Sequence, residues 1–154
     1  MAVIICASNA LADVQAAVNS ATYNDVVIMS GLADEVNWGT GVLNVTKGIT
    51  LYGHVTKWNP HLSIAEAPAR ISYAGTAAIR IIPDQYSRDN EVPTRIEYLK
   101  FTYSGGDRLD NQNFIEVFGA SESAAKPYRY FICNDCIFLG SSGSSVGGGA
   151  IRAR

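Results

Sequence analysis

The sequence is short of the residues that staple, coordinate or anchor. Three cysteines in 154 residues cannot all pair within one chain, which excludes a disulfide framework of the small secreted type. No run approaches the roughly 18 consecutive apolar residues of a membrane span, so no membrane partner is expected and the chain reads as soluble. Residues 1–7 (MAVIICA) are apolar, but they lack a basic region and are too short for a signal peptide, which leaves the compartment open. Excess positive charge is missing too. Twelve Lys plus Arg against fourteen Asp plus Glu give a net charge of −2, and nothing in that balance asks for a nucleic-acid partner. The Gly-rich stretch 141–150 (SSGSSVGGGA) lacks the Lys-Ser/Thr of a phosphate loop and no helix follows it, so it reads as a turn. What is present is 47% hydrophobic against 17% charged residues, enough to bury a core. Fourteen glycines supply many turns.

Leu11, Val14, Ala17, Val18 and Ala21 recur at spacings of three and four. They predict one amphipathic helix over residues 10–21, capped by Ser8 or Asn9. After it, short β-branched and aromatic runs punctuated by Gly, Asn, Asp and Pro predict strands, and no second helix of comparable quality follows.

Internal periodicity organises those strands. The triplets Ile79-Arg80-Ile81, Ile115-Glu116-Val117 and Ile151-Arg152-Ala153 recur at an offset of 36 residues. Ile96, Leu99 and Phe101 map onto Cys133, Cys136 and Phe138 at an offset of 37. Ile28 and Leu51 stand as the first-turn counterparts of Ile79 and Phe101, since 23 residues separate them against 22 in the later pair. The first turn is then enlarged by a segment containing residues 55–68. Repeats of strands without helices predict a parallel β-solenoid, with stacked strands about 4.8 Å apart and inward side chains in columns. Ile79, Ile115 and Ile151 are expected to be buried in one column, with Arg80, Glu116 and Arg152 outside.

The segments ADVQAAVNSATYNDVVIMSG and VLNVTKGITLYG, through Val14 to Val18, Asp25 to Ile28, Gly31 and Lys47 to Gly53, resemble the start of the pectin-lyase-like right-handed β-helix superfamily. RIEYLKFTYSG and YFICNDCIFLG are similar to its later rungs. The resemblance implies an all-β, right-handed parallel β-helix of about three coils with an N-terminal capping α-helix. It would be a single domain over residues 1–154, with the cap at 8–22 and the coils at 23–154. It names a fold more than an activity, because that fold serves polysaccharide lyases, glycoside hydrolases, viral tailspikes and adhesins alike.

By the same resemblance, outward positions of the repeated strand carry catalytic groups. Here they are Met29, Arg80, Glu116 and Arg152, and the alternating Arg-Glu-Arg row could bind an acidic sugar with one Arg as a lyase base. A charge ladder that stabilises neighbouring strands is the competing reading, and the catalytic residues stay unassigned. Asp84, Asp89 and Glu91 in PDQYSRDNEVP, with Asp34, Glu35 and Glu122 at comparable positions, could line one wall. Asp107 and Asp110 lie in a neighbouring loop. Such carboxylates could hold a calcium ion, the one cofactor considered, but no metal motif supports it and turn-forming acids explain them equally. His54 and His61 sit together in the enlarged first turn. Cys133 and Cys136 form a single CxxC without the two further ligands of a zinc site, and they replace Ile96 and Leu99, which favours core packing. Cys6 is expected beneath the cap. Trp38, Trp58, Tyr86 and Tyr128 lie in or beside turns, where they could stack on sugar rings or fold back as satellite core.

Two functions follow from this reading. One is a carbohydrate-associated module that binds or processes a polysaccharide through Arg80, Glu116, Arg152, Trp38, Trp58, Tyr86, Asp84 and Asp89. The other is a structural module, tailspike- or adhesin-like and without catalysis, that forms a homo-oligomer through the open C-terminal edge. If the protein is an enzyme, a polysaccharide lyase or glycoside hydrolase is expected.

Overall fold

Short alternating runs such as LNV, IRI and TRIE bury every second side chain, which is what a half-covered strand requires. The computed structural model describes residues 1–29, 35–53, 69–105, 112–118, 130–140 and 150–153. Its strands form three parallel sheets. The first runs β1 (Val3–Ile5), β2 (Val26–Met29), β5 (Thr50–Gly53), β8 (Thr94–Glu97) and β11 (Phe131–Asn134). The second runs β3 (Glu35–Asn37), β6 (Arg70–Tyr73), β9 (Lys100–Tyr103) and β12 (Ile137–Leu139). The third runs β4 (Leu43–Val45), β7 (Ile79–Ile81), β10 (Ile115–Val117) and β13 (Ile151–Ala153). From β2 onward the chain visits the three sheets in turn, so each strand pairs with a strand one circuit away rather than with its neighbour in sequence.

The expected all-β, right-handed parallel β-helix of about three coils is corrected by this arrangement. Three parallel sheets of 4–5 strands with short helices make an α/β or small parallel-sheet fold, and the described residues form no closed β-helix. Two departures carry physical reasons. Residues 3–5 pair with β2 as a fifth strand of the first sheet, ahead of the helix. Residues 85–89, expected as loop, form a second helix because Asp84 accepts a hydrogen bond from the Ser87 amide and caps it.

The repeat offsets reappear as strand register. Ile79, Ile115 and Ile151 are direct partners across the third sheet, as are Ile96 with Cys133 and Phe101 with Phe138. The first turn departs from the expected mapping. Ile28 lies in the first sheet opposite Tyr52, and Leu43 is the partner of Ile79. Leu51 pairs with Ile96, and Ile71 with Phe101.

Val27, Leu51 and Ile96, then Ile71 and Phe101, then Leu43, Ile79 and Ile115 are fully buried, one column per sheet. Each contributes about 1.5–3 kcal/mol relative to exposure. Phe101 stacks on Phe138 at 5.4 Å, and Phe114 meets Tyr73 and Phe138 at 5.5 and 5.2 Å. Cover thins at the last strand of each sheet. Cys133 and Phe138 are half-buried and Ile151 is 40% exposed, so the expected burial of Ile151 does not hold.

The first helix, α1 (Leu11–Ser20), lies within the expected bounds and buries Val14, Ala17 and Val18 against β2 and β4. Its flanking residue is Ala10 rather than Ser8 or Asn9. Ser8 Oγ still accepts from the Ala10 amide at 3.1 Å and donates to Asp13 in the first turn. The second helix is α2 (Gln85–Asp89). No helix among the described residues is long and apolar enough to cross a membrane.

Candidate functional site

Ile79 and Ile81 face the core from β7, which leaves Arg80 on the opposite face. Register then sets Asn44, Arg80, Glu116 and Arg152 side by side across the third sheet. Met29 does not belong to this row. It is fully buried and pairs with Gly53 in the first sheet. Arg80 Nε donates to Glu116 Oε2 at 3.0 Å, and the other arm of its guanidinium donates to Thr76 Oγ1 at 2.9 Å. Asn113 Nδ2 lies 3.5 Å from Glu116 Oε1. The Glu116 side chain is 3% exposed against 35% for Arg80. Expected on the outside, Glu116 is in fact buried, and the ion pair with Arg80 makes that burial tolerable. The two charges neutralise each other, so neither is presented to a ligand as a free acid or base. Arg152, on the outermost strand, is exposed.

A second row of charge, not anticipated from the sequence, crosses the second sheet as Glu35, Arg70 and Lys100. Lys100 is buried, and that desolvation together with the Arg70 charge pushes its pKa down while Glu35 pulls it back. Glu35 Oε2 also accepts from Thr102 Oγ1 at 2.8 Å. A sequence signal existed for this row in the strand-like residues 70–74, but its partners could be found only with the correct register.

The acidic segment near α2 is organised locally. Tyr23 Oη donates to Asp84 Oδ2 at 2.6 Å, while Asp84 Oδ1 accepts from the Ser87 amide at 2.8 Å. Burial works against the Asp84 carboxylate, yet these bonds outweigh it and hold its pKa below the ordinary value. The same bond raises that of Tyr23. Tyr86 lies on Tyr23 with ring centroids 4.3 Å apart and is 51% exposed. Asp89 accepts from Gln85 at 2.7 Å. Among the described residues no three His, Cys, Asp or Glu side chains gather as metal ligands.

Trp38 is buried, and its indole N–H donates to the Asn9 carbonyl at 2.9 Å. It is core beside the start of α1 rather than an open platform. Cys6 is buried as expected. Trp58 and Tyr128, His54 and His61, and Asp34, Asp107, Asp110 and Glu122 lie outside the described residues. The structure thus brings together Arg80 with Glu116 and Asp84 with Tyr86, and keeps the two pairs on separate elements. Thr76 and Asn113, which complete the surroundings of Arg80 and Glu116, were not singled out by periodicity because they lie outside the strands. No family model, curated protein or solved structure matches the chain.

Proposed function

We propose that the protein is a structural module that pairs with a second copy of itself through the edges of β11, β12 and β13. The observation that carries this reading is the gradient of burial along each sheet. Side chains that are fully covered at Ile96, Phe101 and Ile115 are followed, on the last strands, by half-buried Cys133 and Phe138 and by Ile151 at 40% exposure. Half-buried Phe131, Ile132, Ile137 and Leu139 widen the apolar area around them. Strand edges offer backbone donors and acceptors to another strand, and an apolar rim beside them adds burial. At the opposite end α1 packs over β2 and β4, while β1 remains an edge strand with Val3 and Ile5 exposed, so the two ends differ in the helix that covers only one of them. Like meeting like at the β11 to β13 end gives a two-fold dimer that closes on itself, where a head-to-tail union would grow into a fibre.

A polysaccharide partner has narrower support. Among the described residues of the expected set, Tyr86, Asp89 and Arg152 are exposed; Tyr86 and Asp89 share α2, and Arg152 lies apart from them on β13.

Light scattering over a range of concentrations tests the proposal. The chain is expected to reach twice its monomer mass, and Ile151→Arg to remain monomeric with an unchanged circular dichroism spectrum. A parent chain that stays monomeric at every concentration sinks the reading.

A further inference from the structure

Cys133 lies on β11 with its side chain on the core-facing side, as the partner of Ile96. Cys136 follows after a bend at Asp135, whose φ of 50° is left-handed. A left-handed residue turns the chain sharply, and here it brings the third residue after Cys133 back towards it. The corner sets the two side chains against one another, close enough for each thiol to shift the other's pKa. Cys136 Sγ also lies 3.3 Å from the Asn134 carbonyl oxygen and 3.6 Å from that of Ile96. Both cysteines are free and half-buried, whereas Cys6 is buried. Ile96 and Leu99 hold the corresponding corner one circuit earlier and are fully covered there, whereas the two cysteines are only half-covered. These share one corner, at the thinly covered end of the sheets.

We infer that Cys133 and Cys136 are a redox-active dithiol that closes to an intrachain disulfide by exchange with small-molecule disulfides of the glutathione type. The Cys133 thiolate attacks one sulfur of the small disulfide, forming a mixed disulfide and releasing one thiolate, which takes up a proton. Cys136 then loses its proton to solvent and attacks the Cys133 sulfur. The Cys133–Cys136 bond forms, the mixed disulfide breaks, and a second small thiol leaves. The protein dithiol has given up two electrons and two protons, and the small disulfide has become two thiols. The division of roles has a physical basis. The neighbouring Cys136 thiol holds the Cys133 thiol below its ordinary pKa and so favours its thiolate. The same proximity together with burial pushes Cys136 up, which suits the resolving partner. Cys6, raised by burial and by Asp13 to about 11, serves as an internal control.

A second copy docked on β11 would shield Cys133, so the test is made on dilute full-length chain shown to be monomeric. The reaction does not depend on the dimer, and its readout is a mass rather than an assembly state. The chain is equilibrated in buffers of reduced and oxidised glutathione, quenched with an alkylating reagent, digested and mapped by mass spectrometry. The peptide carrying residues 133 and 136 is expected to lose two hydrogens and escape alkylation as the buffer becomes oxidising, while Cys6 stays reduced. Cys136→Ser is expected to trap a glutathione adduct on Cys133, and Cys133→Ser to form the corresponding adduct at least tenfold more slowly. Retention of both alkylatable thiols across the whole range in the parent chain overturns the inference, whatever the variants do. Equal adduct rates in the two variants overturn the assignment of Cys133 as nucleophile.

Discussion

Arg80 is paired with Glu116 at a depth where an unpartnered carboxylate would be costly to hold. The pair is worth little beyond its own desolvation cost, yet removing one partner leaves the other buried without a counter-ion. Arg80→Met is therefore expected to lower unfolding stability by about 3–5 kcal/mol, with much of the loss recovered in Arg80→Met/Glu116→Gln. Urea denaturation of the three chains checks it. Asp25 gives a pH dependence of defined sign. Amide donors from Ala2 and Thr22, with the Thr22 hydroxyl, draw its pKa from 3.8 to about 2. The unfolded chain binds that proton more tightly. The stabilisation is thus complete above pH 3.8 and is lost as the pH falls through about 2. Asp25→Asn should flatten that part of the acid unfolding curve measured by circular dichroism. Trp38 shows what a sequence leaves open at this scale. Its position beside a turn suits a platform or a core residue equally, and only the bond from its indole to the Asn9 carbonyl decides.

Among the elements, α1 was readable because an apolar stripe at spacings of three and four over ten residues fits a helix and does not fit a strand. Its start was less so, since Ser8 bonds the Ala10 amide without being the flanking residue. The shorter α2 was hidden in a polar run of turn-forming residues, and its one signal was Asp84 placed three residues before Ser87. Strand corners add a constraint that hydrophobic pattern does not carry. A Cβ on Gly53 would meet the Tyr98 carbonyl oxygen at 2.0 Å and Leu99 Cδ2 at 2.8 Å. Tyr98 itself holds a left-handed φ of 55°, as Asp135 does at the same corner one circuit later. Backbone cannot yield as a side chain tip can, so Gly53→Ala is expected to cost about 1–3 kcal/mol by overcrowding. Its urea midpoint is compared with that of Gly39→Ala, where a Cβ meets nothing within 4 Å but φ is 57°, so that variant reports left-handed backbone strain without crowding.

For the whole molecule, the constant offset between triplets was legible because stacked parallel strands force the same residue types onto the same positions. Which sheet each early strand joins was not. Strands of three or four residues all carry the same two-residue alternation, so Ile28 and Leu43 are interchangeable candidates for the place beside Ile79, and chain spacing favours the wrong one. Charged groups followed the same rule. Arg80 beside Glu116 could be read from the offset, whereas the Glu35, Arg70 and Lys100 row required the true register. Self-pairing through β11, β12 and β13 is the central claim at this scale, and hydrogen exchange at low and high protein concentration tests it most directly. The amides of Phe131–Asn134, Ile137–Leu139 and Ile151–Ala153 should gain protection as concentration rises, while those of Val3–Ile5 at the other end stay unchanged. Exchange at those three strands that is independent of concentration, in a chain that light scattering shows to be associated, would contradict it.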